Sequence, residues 1–275
     1  MADNNPYLTS NDTVRDIART GAPDRYLAAL LAPRLVRDDL IALNAYAAEI
    51  EKIPQLVSDP HIGEIRIQWW RDVLLAPHRA ATGNPVADAF AETIQRHKLP
   101  VERIAAHLDA AVHGLYADAP ANDEQLTLSL EMNEGTLFTL AAHILGAPQF
   151  ETTRGIGLNG SQAYGLTKIG LSLPYALAHG RNPLPPSLAP NSDQPDWHPT
   201  ILRLCSRARV QLEHARAAYP AEQAAIKTAL LPLALVEPYL RALSQRSHDP
   251  ARDLAVIAPL TRAWRLYKTH VRGRI

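Results

Sequence analysis

A single cysteine, Cys205, stands in a chain of 275 residues. That excludes an intrachain disulfide framework and any cysteine-rich zinc or iron–sulfur site, and it agrees with a reducing compartment. Charge of one sign is also missing: Lys plus Arg and Asp plus Glu each number 28, for zero formal net charge. The electrostatic footprint of a nucleic-acid binder is therefore absent, and no nucleic acid is expected as partner. No uncharged run approaches the roughly 20 apolar residues that a membrane-spanning helix needs. The N-terminal M-A-D-N-N-P-Y-L-T-S-N-D has no basic n-region, no apolar core and no Arg-rich amphipathic character, so it reads as neither a secretory signal nor a transit peptide. The expected location is the cytoplasm, with a peripheral contact at the inner membrane left open. H-E-x-x-H, G-x-S-x-G and a phosphate-binding loop are all lacking.

Alternating strand patterns are nearly absent, whereas helical periods run throughout a chain that is 47% hydrophobic. Capping residues, glycines and prolines punctuate these periods. They predict helices at Asn11–Thr20, Asp24–Leu31, Arg37–Ile53 (stopped by Pro54), Val86–Arg96, Val101–Tyr116, and Asn122 to Leu145 with Asn122 and Gln125 as a capping pair. A further long helix is expected from Phe150 to about His179, interrupted or kinked at Pro174. A proline-rich loop at Pro183–Pro199 precedes helices at Thr200–Ala218, Ala221–Ser244 (bent or divided at Pro232 and Pro238) and Ala251–Arg272. The expectation is an N-terminal segment, residues 1–21, followed by one all-α domain, residues 22–275, of roughly ten helices in total.

The stretch H-I-G-E-I-R-I-Q-W-W-R-D-V-L-L from His61 to Leu75 is the most pronounced of these. Ser58, Asp59 and Pro60 are the residue types that open a helix. Ile62, Ile65, Trp69, Val73 and Leu74 recur at helical spacing as its apolar face. Arg66 and Arg71 are expected to pair with Glu64 or Asp72 rather than to meet a ligand. Gly155, Gly157 and Gly160 match G-x-G-x-x-G, but no apolar strand precedes them and no acidic residue follows at the distance of a ribose ligand. They read as a helix start and a close helix contact. His107 and His113 fall on different helical faces and make no metal pair.

Five segments carry a family resemblance in their order. They are D-R-Y-L-A-A-L-L-A-P near Asp24, A-L-N-A-Y-A-A-E-I near Ala42, the His61–Leu75 stretch, E-G-T-L-F-T-L-A-A-H-I-L-G from Glu134, and A-Y-G-L-T-K-I-G from Ala163 through H-G-R-N-P-L-P ending at Pro185. Over roughly residues 22–188 the chain resembles the squalene/phytoene synthase family. That resemblance implies an all-α isoprenoid-synthase-type bundle around a deep apolar cavity. Active members join two prenyl diphosphates head to head, and two Asp-rich motifs on facing helices hold magnesium against the diphosphates. Carboxylates suit hard Mg²⁺, which bridges and neutralises the leaving group.

This chain departs from that pattern. At the first motif, Glu51 stands where an aspartate belongs, Lys52 and Gln55 occupy the following acidic positions, and Ala48 replaces an expected arginine. At the second, Ser172 and Ala176 occupy the aspartate positions and Leu171 an arginine position. A lone carboxylate beside an ammonium is a poor site for a divalent cation. The resemblance is thus to the noncatalytic branch that includes the mitochondrial assembly factor for respiratory complex I, an affinity extended by P-V-A-D-A-F-A-E-T-I-Q-R-H-K-L from Pro85. Three readings stand: a noncatalytic factor that binds an isoprenoid-like lipid or a protein partner, with no cofactor; a divergent prenyl transferase, which would require magnesium; and a helical scaffold with a filled cavity. By the resemblance, Tyr26, Tyr46, Glu51, Lys168 and Ser172 are the candidate pocket residues, each equally readable as a core residue with its polar end satisfied. No catalytic or metal-ligating residue is assigned.

The C-terminal R-A-W-R-L-Y-K-T-H-V-R-G-R-I sets Arg262, Arg265, Lys268 and Arg272 beside an apolar stripe of Leu260, Trp264, Tyr267 and Val271. Trp264 and these four cations are the candidate membrane or partner contact. The competing reading packs Trp264 on the body of the domain and leaves the cations merely solvated.

Overall fold

The computed structural model describes residues 9–57, 59–76, 81–116, 119–150, 155–190 and 196–275. Among these residues every regular element is helical, as the periods require. The chain divides into two compact units, Met1–Leu115 and Tyr116–Ile275, and each is described by itself.

The first unit holds α1 (Ser10–Gly21), α2 (Pro23–Leu30), α3 (Arg34–Leu56), α4 (Pro60–Leu75), α5 (Pro85–His97) and α6 (Val101–Leu115). Thr9 opens α1 with a capping box: its side chain accepts from the Asp12 N–H, and the Asp12 carboxylate accepts from the Thr9 N–H. The Thr9 hydroxyl also donates to the Asp12 carboxylate at 2.7 Å, and this bond, with the one from the Thr9 N–H, holds the Asp12 carboxyl below the usual carboxylate range. The axis of the unit is α3, buried without interruption from Asp39 to Ala48. Its alanines at 42, 45, 47 and 48 admit close neighbours, and a Cβ on Gly21 of α1 would meet the Ala48 Cβ at 2.5 Å. A buried carboxylate, Asp39, ties α3 to α5 by accepting from Thr93 Oγ1 at 3.2 Å and from Arg96, and by contacting His97 Nε2 at 2.8 Å. Three partners on one carboxylate offset the cost of burying it.

The second unit holds α7 (Asp123–Leu130), α8 (Thr136–Ile144), α9 (Gly155–Ala178), α10 (His198–Ala218), α11 (Ala224–Ala229), α12 (Val236–Leu243) and α13 (Pro259–Arg272). A π-helical turn, Glu131–Gly135, joins α7 to α8, and 3₁₀ turns at Tyr219–Ala221 and Leu231–Leu235 flank α11. Here α9 is central and packs through glycine: a Cβ on Gly165 would lie 2.6 Å from Leu130 Cδ2, and one on Gly170 would lie 2.9 Å from Leu243 Cδ1. Gly155, at φ +55°, starts α9, and Gly160 sits close to Leu233.

Several boundaries differ from expectation, each for a physical reason. Pro54 does not stop α3, which runs to Leu56, because a proline in the last turn forfeits one hydrogen bond without blocking the two residues after it. Likewise α9 continues through Pro174. The helix expected from Ala251 begins only at Pro259: a proline at the first helical position holds Ala258 extended, at φ −56° and ψ 138°. The segment Ala221–Ser244 is divided at Pro232, as expected, whereas Pro238 divides nothing and is absorbed in the first turn of α12. On α4 the apolar face is displaced by one residue. Gly63, Ile67, Trp70, Val73 and Leu74 are buried, and Ile62, Ile65 and Trp69 are exposed. Asp59 caps that helix, its carboxylate accepting from the His61 N–H at 2.9 Å; Ser58 lies outside the described residues.

Candidate functional site

Tyr46 is the most enclosed of the sequence-derived site residues. It projects from the fully buried part of α3, stacks on Phe90 at 4.4 Å between ring centroids, and meets Trp70 edge-on at 5.7 Å. Its hydroxyl and Nδ1 of His107 are 2.9 Å apart and hydrogen-bonded, with the donor set by the imidazole tautomer. Burial pushes the phenol far above its ordinary range, so it stays protonated. His107 is the hydrogen-bond partner of Tyr46 that sequence reasoning missed, since its spacing from His113 speaks only to metal binding. No local signal joins residues 46 and 107; packing of α3 against α6 does.

One turn further along α3, Glu51, Lys52 and Gln55 are all exposed. Ala48, by contrast, is buried where α1 approaches. Tyr26 on α2 is half-buried, between the buried Asp24 and Arg25 and the buried Ala28 and Ala29. Arg71 does not pair with a neighbour on its own helix but with Asp109 of α6, while Asp72 accepts from Gln68 Nε2 at 2.7 Å. The opposite charge on the packed helix lies in reach of the guanidinium, and Asp72 is already engaged.

In the second unit Lys168 lies one turn from Ser172 on α9. Its Nζ donates to Glu134 Oε1 at 2.9 Å, and Glu134 is buried within the π-helical turn. A π turn inserts a residue and re-aims the side chains around it, which brings the Glu134 carboxylate against α9 beside Gly165. Sequence reasoning placed Glu134 in a motif but gave it no role, since the extra residue has no distinctive composition. Ser172 is exposed, and its hydroxyl donates to the Ile169 carbonyl at 3.3 Å. From Gly155 to Ala178, α9 contains no aspartate and no glutamate.

Among the described residues no three His, Cys, Asp or Glu side chains gather where they could hold a metal ion. Cys205 is buried, and burial raises its thiol above the ordinary range. At the C-terminus, Trp264 is 63% exposed. Arg262 and Arg265 are half-buried, and Lys268 and Arg272 are exposed.

The sequence matches the squalene/phytoene synthase family over residues 18–267. Curated relatives include NADH dehydrogenase (ubiquinone) complex I, assembly factor 6, of Bos taurus, 24% identical over 241 residues that make up 82% of this chain and 71% of the relative. The Homo sapiens protein of the same name is 24% identical over 244 residues, with the same coverage. Among solved structures, squalene synthase from Alicyclobacillus acidocaldarius superposes with a TM-score of 0.67 at 16% identity, covering 85% of this chain and 92% of the other. A dehydrosqualene synthase in complex with ligand gives 0.73 at 14% identity, covering 96% and 95%. These structures share with the chain the isoprenoid-synthase helical fold.

Proposed function

Because the chain belongs to the squalene/phytoene synthase family, we propose that it is a noncatalytic member, one that binds an isoprenoid-like lipid or a protein partner in place of turning over prenyl diphosphates. The observation that carries this reading is the absence of any carboxylate on α9, the helix on which the family resemblance expects the second Asp-rich motif. Magnesium clusters need several carboxylate oxygens apiece. Ser172 and Ala176 supply none, and Glu51 on α3 is one carboxylate beside the ammonium of Lys52. The donor set does not fit a pair of magnesium clusters. Ala48 supports the same reading: where a diphosphate-binding arginine is expected, a methyl group is buried against Gly21.

The similarity to complex I assembly factor 6 favours a role in assembling or supporting other proteins over a role in synthesis. Tyr26, Tyr46 and Glu51 in the first unit, and Lys168 and Ser172 in the second, are proposed as ligand-binding polar groups, each set within its own unit. In that role Tyr46 and Lys168 act through fixed partners, His107 and Glu134, and shape their surroundings more than they contact a ligand. The test is mass spectrometry of lipids extracted from the purified protein, together with affinity capture from its native host. Stoichiometric prenyl lipid or a specific, reproducible partner supports the proposal. A head-to-head prenyl product formed in the presence of Mg²⁺ replaces it with a divergent prenyl transferase.

A further inference from the structure

The segment Leu254–Ile275 exposes several large apolar side chains. On α13 the buried residues are Leu266 and Thr269. At 3.6 residues per turn, the opposite side of the helix carries Leu260, Trp264, Tyr267 and Val271, which are 84%, 63%, 51% and 63% exposed. Trp264 and Tyr267 stand 6.1 Å apart as a tilted pair. Just before the helix, Leu254 and Val256 are exposed as well, at 68% and 75%. Apolar and aromatic side chains exposed together on one face of a helix mark an interaction site.

Charge identifies the occupant. After Asp253 the chain contains no aspartate or glutamate, yet it has Arg262, Arg265, Lys268, Arg272 and Arg274. In a protein of zero formal net charge this terminal segment thus carries 5 of the 28 cations and none of the 28 anions. On α13 the exposed Lys268 and Arg272 flank the aromatic stripe along one side. An apolar stripe with Trp and Tyr at its centre and Lys and Arg along its edge is the arrangement that lies in a lipid headgroup layer: aromatic rings at the acyl boundary, cations against phosphates. No helix among the described residues is long and apolar enough to cross a membrane.

We propose that α13, together with the exposed Leu254 and Val256 before it, docks this protein on the surface of an anionic lipid bilayer, with Trp264 and Tyr267 inserted and Lys268 and Arg272 on the headgroups. This surface would serve equally whether or not the chain turns over prenyl diphosphates. Each basic residue near an anionic surface contributes about fivefold to partitioning, and the attraction is screened by salt. The full chain should therefore sediment with phosphatidylcholine vesicles containing about one third phosphatidylglycerol and not with phosphatidylcholine alone. Lys268→Glu/Arg272→Glu should lower partitioning by about tenfold or more. Trp264→Ser/Tyr267→Ser should lower it about as much, and salt should not rescue it. All four side chains are exposed, so thermal melts of both variants should match the wild type. Equal sedimentation with neutral and anionic vesicles, none with either, or full binding by both variants would overturn the proposal. If wild type fails to bind vesicles but self-associates, and Trp264→Ser abolishes that association, the surface is an interface between copies and the lipid assignment is wrong.

Discussion

Replacing Tyr46 with phenylalanine removes one oxygen and nothing else from the centre of α3. The ring keeps its stack on Phe90 and its edge contact with Trp70, so the aromatic contribution is retained. What disappears is the 2.9 Å bond to Nδ1 of His107, with both groups buried. A neutral hydrogen bond is worth about 1 kcal/mol, and depriving a buried polar atom of a partner costs about 1–3 kcal/mol, so Tyr46→Phe should destabilise by about 1–3 kcal/mol. Tyr46→Ala should cost about 3–5 kcal/mol, because it opens a cavity and also breaks the aromatic cluster. Urea unfolding followed by far-ultraviolet circular dichroism reads both values, and an unchanged m-value confirms that the denatured state is the same. In a double-mutant cycle His107→Leu should couple to Tyr46→Phe, the combined loss falling short of the sum. A Phe variant within about 0.5 kcal/mol of wild type would refute the reasoning that this hydroxyl is held by His107 in the core.

Three further outcomes are expected. Gly165→Ala should destabilise by about 1–3 kcal/mol, since its Cβ would stand 2.6 Å from Leu130 beside the π turn, whereas Gly160→Ala, with 3.1 Å to Leu233, should cost less; thermal melts rank the two. Lys168→Met should cost about 1–2 kcal/mol, because the buried Glu134 carboxylate loses the ammonium at 2.9 Å, and the Glu134→Gln/Lys168→Met double variant should cost less than the sum of the singles in denaturant titrations. Tyr46 and Tyr219 should not ionise with the exposed tyrosines in an ultraviolet alkaline titration, because burial raises both phenols. Their folded-state pKa exceeds the unfolded value near 10, so this contribution to stability is intact below about pH 10 and is lost as pH rises beyond it.

The fold was legible in the sequence because helical periods and caps are local properties. Asn84, whose side chain accepts from the Val86 and Ala87 N–H groups, and Asn122, which accepts from Gln125, are both readable as helix starts. Legibility fails where non-local packing decides. The turn at Glu131–Gly135 is π-helical, and nothing in E-M-N-E-G announces it. Hydrophobicity points to Ile62, Ile65 and Trp69 as the buried set of α4, yet Gly63 is its closest approach: a Cβ there would meet the Leu115 methyls at 2.8 Å. The departures at Glu51, Ser172 and Ala176 can be seen in the sequence once the family resemblance supplies the positions. The partners of Tyr46 and Lys168 cannot, since His107 and Glu134 lie 61 and 34 residues away in the chain and meet them only in the folded state. Exposure of Trp264 is undecided by the sequence, because the same amphipathic pattern serves a docked helix and a presented one.

The central claim is that this member of the family lacks the donors for metal-assisted ionisation of prenyl diphosphates. It is tested most directly by measuring diphosphate release when the purified full chain is incubated with farnesyl or geranylgeranyl diphosphate and excess Mg²⁺. The expected result is release no faster than in the absence of protein, and no effect of Glu51→Ala. Metal-dependent release with formation of squalene, phytoene or a related head-to-head product, abolished by Glu51→Ala, would contradict it.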